Sequence, residues 1–142
     1  MGVNEKSYVG IIITTVVVFG WYFLEAYTAA ASGLTAVADF GFTMWVMMGV
    51  YVALIIAVMI VSAIISKKDG GEMGEFDERD SLIDMRAERM GSYVQATGLF
   101  GLLVMVMAEV STFMLAHTIL GIMVFSTMFT FVVRLYLYRK GV

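Results

Sequence analysis

The chain has 142 residues, of which 61% are hydrophobic and 15% charged, with no Pro, no Cys and a formal net charge of −3. Its mean hydropathy is +0.89. A soluble domain averages about 45–50% apolar and about 25% charged residues, so these figures exclude a soluble enzyme, a disordered chain, a disulfide scaffold and a Cys-based zinc or redox protein, and leave a small polytopic membrane protein.

A helix crosses the hydrocarbon core with about 20 apolar residues. The first stretch that qualifies runs over 8–27, from Tyr8 to Tyr27. Trp21, Tyr22 and Tyr27 mark its outer end, where a half-wet aromatic ring is at home. Its apolar run is longer than that of a signal peptide and only Lys6 precedes it, so an uncleaved span is expected. Glu25 falls near the outer boundary. Asp39 follows in a loop. The second span covers 42–66 and carries Met44, Met47 and Met48 near its outer end.

A loop over 67–92 comes next. Lys67 to Glu75 is rich in glycine and charge and reads as a turn. Residues 76–91 read as a helix with Asp77 as N-cap and Asp80 as the capping-box-like acid. At 100° per residue Asp80, Asp84 and Glu88 form one stripe, which would face the cytosol or a partner. Ile83, Ala87 and Met90 lie on another face with Leu82 beside them. Arg79, Arg86 and Arg89 fall within or next to that apolar face. Two readings are open. One is a solvated connector. The other is a short amphipathic cytosolic helix that lies on the bilayer and docks its arginines to anionic lipid headgroups or to a partner.

The element Asp77-Glu78-Arg79-Asp80, Ile83, Arg86-Ala87 and Tyr93 resembles one found in a family of small, uncharacterised prokaryotic four-span membrane proteins, which pair hydrophobic hairpins around a charged cytosolic segment. The resemblance covers about 20 residues and the layout of spans. It implies a prokaryotic inner membrane and no activity.

The third span is expected over 93–113 and the fourth over 117–136, joined as a tight hairpin. Gln95, Gly98, Met105, Glu109 and Thr112 share one face of the third span, a pattern that points polar groups at neighbouring helices. All nine basic residues (Lys6, Lys67, Lys68, Arg79, Arg86, Arg89, Arg134, Arg139 and Lys140) then fall on one side of the membrane. The positive-inside rule makes both termini and the 67–92 loop cytoplasmic. The fold expected is an all-α membrane protein, residues 1–142 forming a single four-helix bundle of two hairpins.

The outer half holds Glu25, Asp39 and Glu109 and no Lys or Arg. Carboxylates there either snorkel to water or, with His117, form a proton- or cation-binding site. Met44, Met47, Met48 and Met114, with His117, offer a thioether and imidazole set suited to Cu(I), although methionine stripes also serve as flexible packing. A lone His at a turn also serves as a cap or meets water. One His and no Cys leave most catalytic schemes without parts, and no cofactor and no nucleic-acid partner are expected. The sequence thus points to a non-enzymatic inner-membrane subunit or interaction protein, a homo-oligomer or one bound to another membrane protein. The alternative is a small proton- or cation-linked transporter using Glu25, Glu109 and His117.

Overall fold

A computed structural model describes residues 3–68 and 78–140 of the chain, with side chains over 7–65 and 80–140. They form four helices: α1 (Val3–Ala31), α2 (Val37–Lys68), α3 (Glu78–Met107) and α4 (Thr112–Lys140). All four are long and apolar enough to cross a membrane. They divide into two compact units, residues 1–75 and 76–142, and each unit is one antiparallel helix hairpin. The expected N-cap Asp77 and the glycine-rich turn after Lys68 lie outside the described residues.

In the first hairpin α1 and α2 pack through Thr15, Val18, Phe19 and Tyr22 on one side and Phe40 and Met47 on the other, all buried. Gly10 brings the helices close, since a Cβ there would stand 3.1 Å from Val58 Cγ1. The opposite faces stay apolar and exposed, among them Val17, Leu24, Val52 and Ile64. A helix that is apolar all round suits hydrocarbon as its solvent.

α1 ends on a Schellman motif. The Leu34 N–H donates to the Ala29 carbonyl at 2.9 Å and the Gly33 N–H to the Ala30 carbonyl at 3.0 Å, with Gly33 at φ 79°. Only glycine takes that left-handed conformation without a steric penalty. Asp39, expected in a loop, sits in the first turn of α2. Its Oδ2 accepts from the Ala36 N–H at 3.1 Å, a duty of the acid in a capping box.

The second hairpin departs from the expected boundaries. The charged segment at its start is helical, as its periodicity implied, yet it is continuous with the third span: α3 runs unbroken from Glu78 to Met107. It is not a separate element. Gly91 does not break the helix because it lies buried against α4. α3 then ends six residues earlier than the expected span end at 113. The reason is a second Schellman motif, with the Val110 N–H donating to Met105 O at 3.2 Å and the Glu109 N–H to Val106 O at 3.1 Å. Its left-handed position is filled by Glu109, φ 52°, so no glycine announced the turn. Ser111 opens α4 as its N-cap, its Oγ accepting from the Met114 N–H at 3.4 Å.

Candidate functional site

The chemistry of the second hairpin gathers at the charged end of α3. Ile83, Ala87 and Gly91 are buried there, and the fit is close. A Cβ on Gly91 would fall 1.9 Å from Thr130 Oγ1 on α4. One edge of this packed face carries Asp84 and Glu88. Arg134 of α4 reaches both: its Nε lies 3.1 Å from Asp84 Oδ1 and its Nη2 2.9 Å from Glu88 Oε1. The first contact is an ion pair in close approach; the second is also a well-formed hydrogen bond. The Arg134 side chain is 13% exposed, Asp84 23% and Glu88 66%. A cation this far from water needs an acid.

The acidic stripe was expected to face the cytosol or a partner. Instead Asp84 turns to α4 within its own hairpin, and Glu88, still largely exposed, reaches the same Arg134 from the edge. Sequence reasoning missed Arg134 as their partner. The signal was present: Arg134 is the one charge within the fourth expected span, and two acids one turn apart are what such a charge requires.

This arrangement leaves the basic side of α3 open. Arg86 and Arg89 are exposed, with Leu82, Met85 and Met90 exposed around them. Neither arginine has an ion pair among the described residues. Arg86, Arg89, Leu82, Met85 and Ser92 line a cavity of about 390 Å3, with Glu88 at its wall. The arginines therefore keep the company of exposed apolar residues, whereas the apolar residues that pack are Ile83 and Ala87. The backbone of Arg79 belongs to the first turn of α3; its side chain lies outside the described residues.

The outer-half candidates are divided between the two hairpins. Glu25 is exposed on α1. Glu109 is exposed in the turn after α3 rather than on a helix face shared with Gln95 and Gly98. Gln95 itself is exposed, while Gly98 meets Ile122 of α4, whose Cγ2 would stand 2.5 Å from a Cβ. His117 is buried, and its Nδ1 stands 2.7 Å from the Phe113 carbonyl. A carbonyl only accepts, so Nδ1 carries the proton. Its ring lies on that of Phe113, centroids 4.1 Å apart. Among the methionines, Met47 is buried in the first hairpin and Met44 half-buried, while Met48 is exposed; in the second hairpin Met114 is exposed. Among the described residues no group of three His, Cys, Asp or Glu is placed to hold a metal ion.

No known protein family, curated protein or solved structure matches the chain.

Proposed function

We propose that this multi-pass membrane protein is a non-enzymatic interaction or assembly subunit that docks through the basic face of α3. The observation that supports this is the sorting of charge on that helix. Asp84 and Glu88 are engaged by Arg134, while Arg86 and Arg89 project outward among exposed Leu82, Met85 and Met90. An internal ion pair leaves the outward face with net positive charge and an apolar floor. Such a face suits an anionic surface. Arg79, at the start of the same helix, belongs to the proposed docking set. The nine-to-none distribution of basic residues supports cytoplasmic termini, and the resemblance of the Asp77 to Tyr93 element supports a prokaryotic inner membrane. The small chain works in this reading as a homo-oligomer or beside another membrane protein.

Native mass spectrometry of the protein gently extracted from its own membrane tests the reading. A defined oligomer or a copurifying chain is expected. Charge reversal at Arg79, Arg86 and Arg89 together should weaken membrane retention and shift the assembly mass. Unchanged extraction, mass and partner recovery would sink the proposal.

A further inference from the structure

We infer that the second hairpin binds one anionic phospholipid, its phosphate held between Arg86 and Arg89 and an acyl chain laid in the groove that begins at Tyr93. The inference rests on the docking role proposed for this face and names what occupies it. Two cavities follow one another along α3. The first is the arginine-lined one. The second, of about 650 Å3, is bordered by Tyr93, Thr97 and Gly98 of α3 and Gly121, Ile122 and Phe125 of α4. That volume falls within the range of small-molecule sites, about 300–1,000 Å3.

The order of the two matches the order of parts in a lipid. Arg86 and Arg89 are three residues apart, so their side chains are neighbours on the helix surface and both guanidinium forks can reach one phosphate. Glu88 lines the same cavity, and Arg134 offsets its charge through Oε1 at 2.9 Å. Tyr93 is 66% exposed and sits where the polar zone meets hydrocarbon, a position tyrosine favours. Deeper, the groove has few free polar groups to offer. Thr97 donates its hydroxyl to the Tyr93 carbonyl at 2.9 Å, which leaves its methyl for the groove. From Arg86 to Gly98 the helix rises about 18 Å at 1.5 Å per residue, close to one leaflet of a hydrocarbon core about 30 Å thick. The charged end of α3 lies at a membrane surface whichever side it faces, so the lipid runs the same way in either orientation.

The test uses the full chain in detergent micelles doped with equal amounts of phosphatidylglycerol and phosphatidylcholine, read by native mass spectrometry. One phosphatidylglycerol per chain should be retained over phosphatidylcholine. R86Q/R89Q should lower that retention about thirtyfold, the loss expected for two near-surface arginines. Thr97→Phe, at an exposed position, should fill the groove and lower retention while both arginines remain. Added inorganic phosphate should not displace the lipid. Equal retention of the two lipids, full retention by R86Q/R89Q, or displacement by phosphate would each overturn the lipid site. The subunit reading is judged separately in the same spectra, by assembly mass. Selective lipid retention with an assembly that ignores charge reversal would keep this site and remove the docking role. A charge-sensitive assembly with no lipid preference would do the reverse.

Discussion

The two hairpins share an architecture and differ in what holds them. Both are antiparallel helix pairs, and in both the first helix ends on a Schellman motif with the same pair of backbone hydrogen bonds. The first hairpin is joined mainly by side chains, with one close approach at Gly10. Thr15 Oγ1 donates to the Ile11 carbonyl at 2.8 Å, so its one proton is spent and the 3.0 Å contact with Tyr51 must be donated by the tyrosine hydroxyl. Phe19 meets the Tyr51 ring edge-on, centroids 4.8 Å apart. The second hairpin is joined by backbone proximity at Gly91 and Gly98 and by the Arg134 ion pairs. Lipid tails are as apolar as leucine, so apolarity does not drive helix pairing in a bilayer. Each hairpin therefore needs specific contacts, and this chain uses two kinds.

The largest expected effect breaks the second kind. Arg134→Met leaves Asp84 poorly compensated in a half-buried place, and losing one partner of a buried pair costs about 3–5 kcal/mol. The more exposed Glu88 puts the expected value at or below the low end of that range, and Glu88→Gln alone should cost less than about 1 kcal/mol. Hydrogen exchange should rise over 80–92 and 128–138 while peptides of α1 and α2 stay protected. Equal loosening in both hairpins would mean that the ion pairs do not act locally.

Next comes close approach. Gly91→Ala places a methyl group against Thr130 and should cost about 1–3 kcal/mol, the range for overpacking. Thr130→Ala should restore part of the loss. Gly49→Ala meets open space and should be neutral or stabilising by up to about 1 kcal/mol through helix propensity. Unfolding by SDS, followed by far-ultraviolet circular dichroism, separates these outcomes. A Gly91→Ala chain as stable as its parent would show that the helices part more easily than their spacing implies.

The turns sharpen the comparison because the same left-handed position holds Gly33 in one hairpin and Glu109 in the other. Gly33→Ala should destabilise by about 1 kcal/mol and Glu109→Gly should stabilise by a similar amount. Matching signs for the two would overturn the argument. The smallest effect belongs to Tyr51→Phe, which removes one hydrogen bond within a membrane span. Such bonds average about 0.6 kcal/mol. Trp21 and Trp45 both lie in the first hairpin, so their fluorescence during unfolding reports this change directly.

The outer carboxylates show how far residue order carries. Composition placed Glu109 within a span, where a carboxylate demands an explanation. The backbone puts it one residue past the Ccap, exposed and turned out by a positive φ. Local periodicity assumed that the helix continued, and a left-handed glutamate has no strong signature of its own. Ser111 was the nearest available cue, since a Ser ahead of an apolar run is a helix start. In contrast, the first hairpin's turn was punctuated by Gly33, and it narrowed from both sides but stayed within the expected segment between the spans.

The sequence by itself determined that four helices of membrane-spanning length form, because apolar runs of that length have few other ways to satisfy their backbone in lipid. It also determined that the charged segment before the third span is helical with its acids on one stripe, since that follows from 100° per residue alone. Only the tertiary structure decided which way the stripe faces. Arg134 lies 46 residues from Glu88, and no local rule connects them. Its pairing with Asp84 and Glu88 turns Asp84 inward, ties Glu88 to the edge of α4 and leaves Arg86 and Arg89 outside. The choice of Ile83, Ala87 and Gly91 rather than Leu82 and Met90 as the packed face has the same origin: small residues let α4 approach, and the larger ones are left to the surroundings.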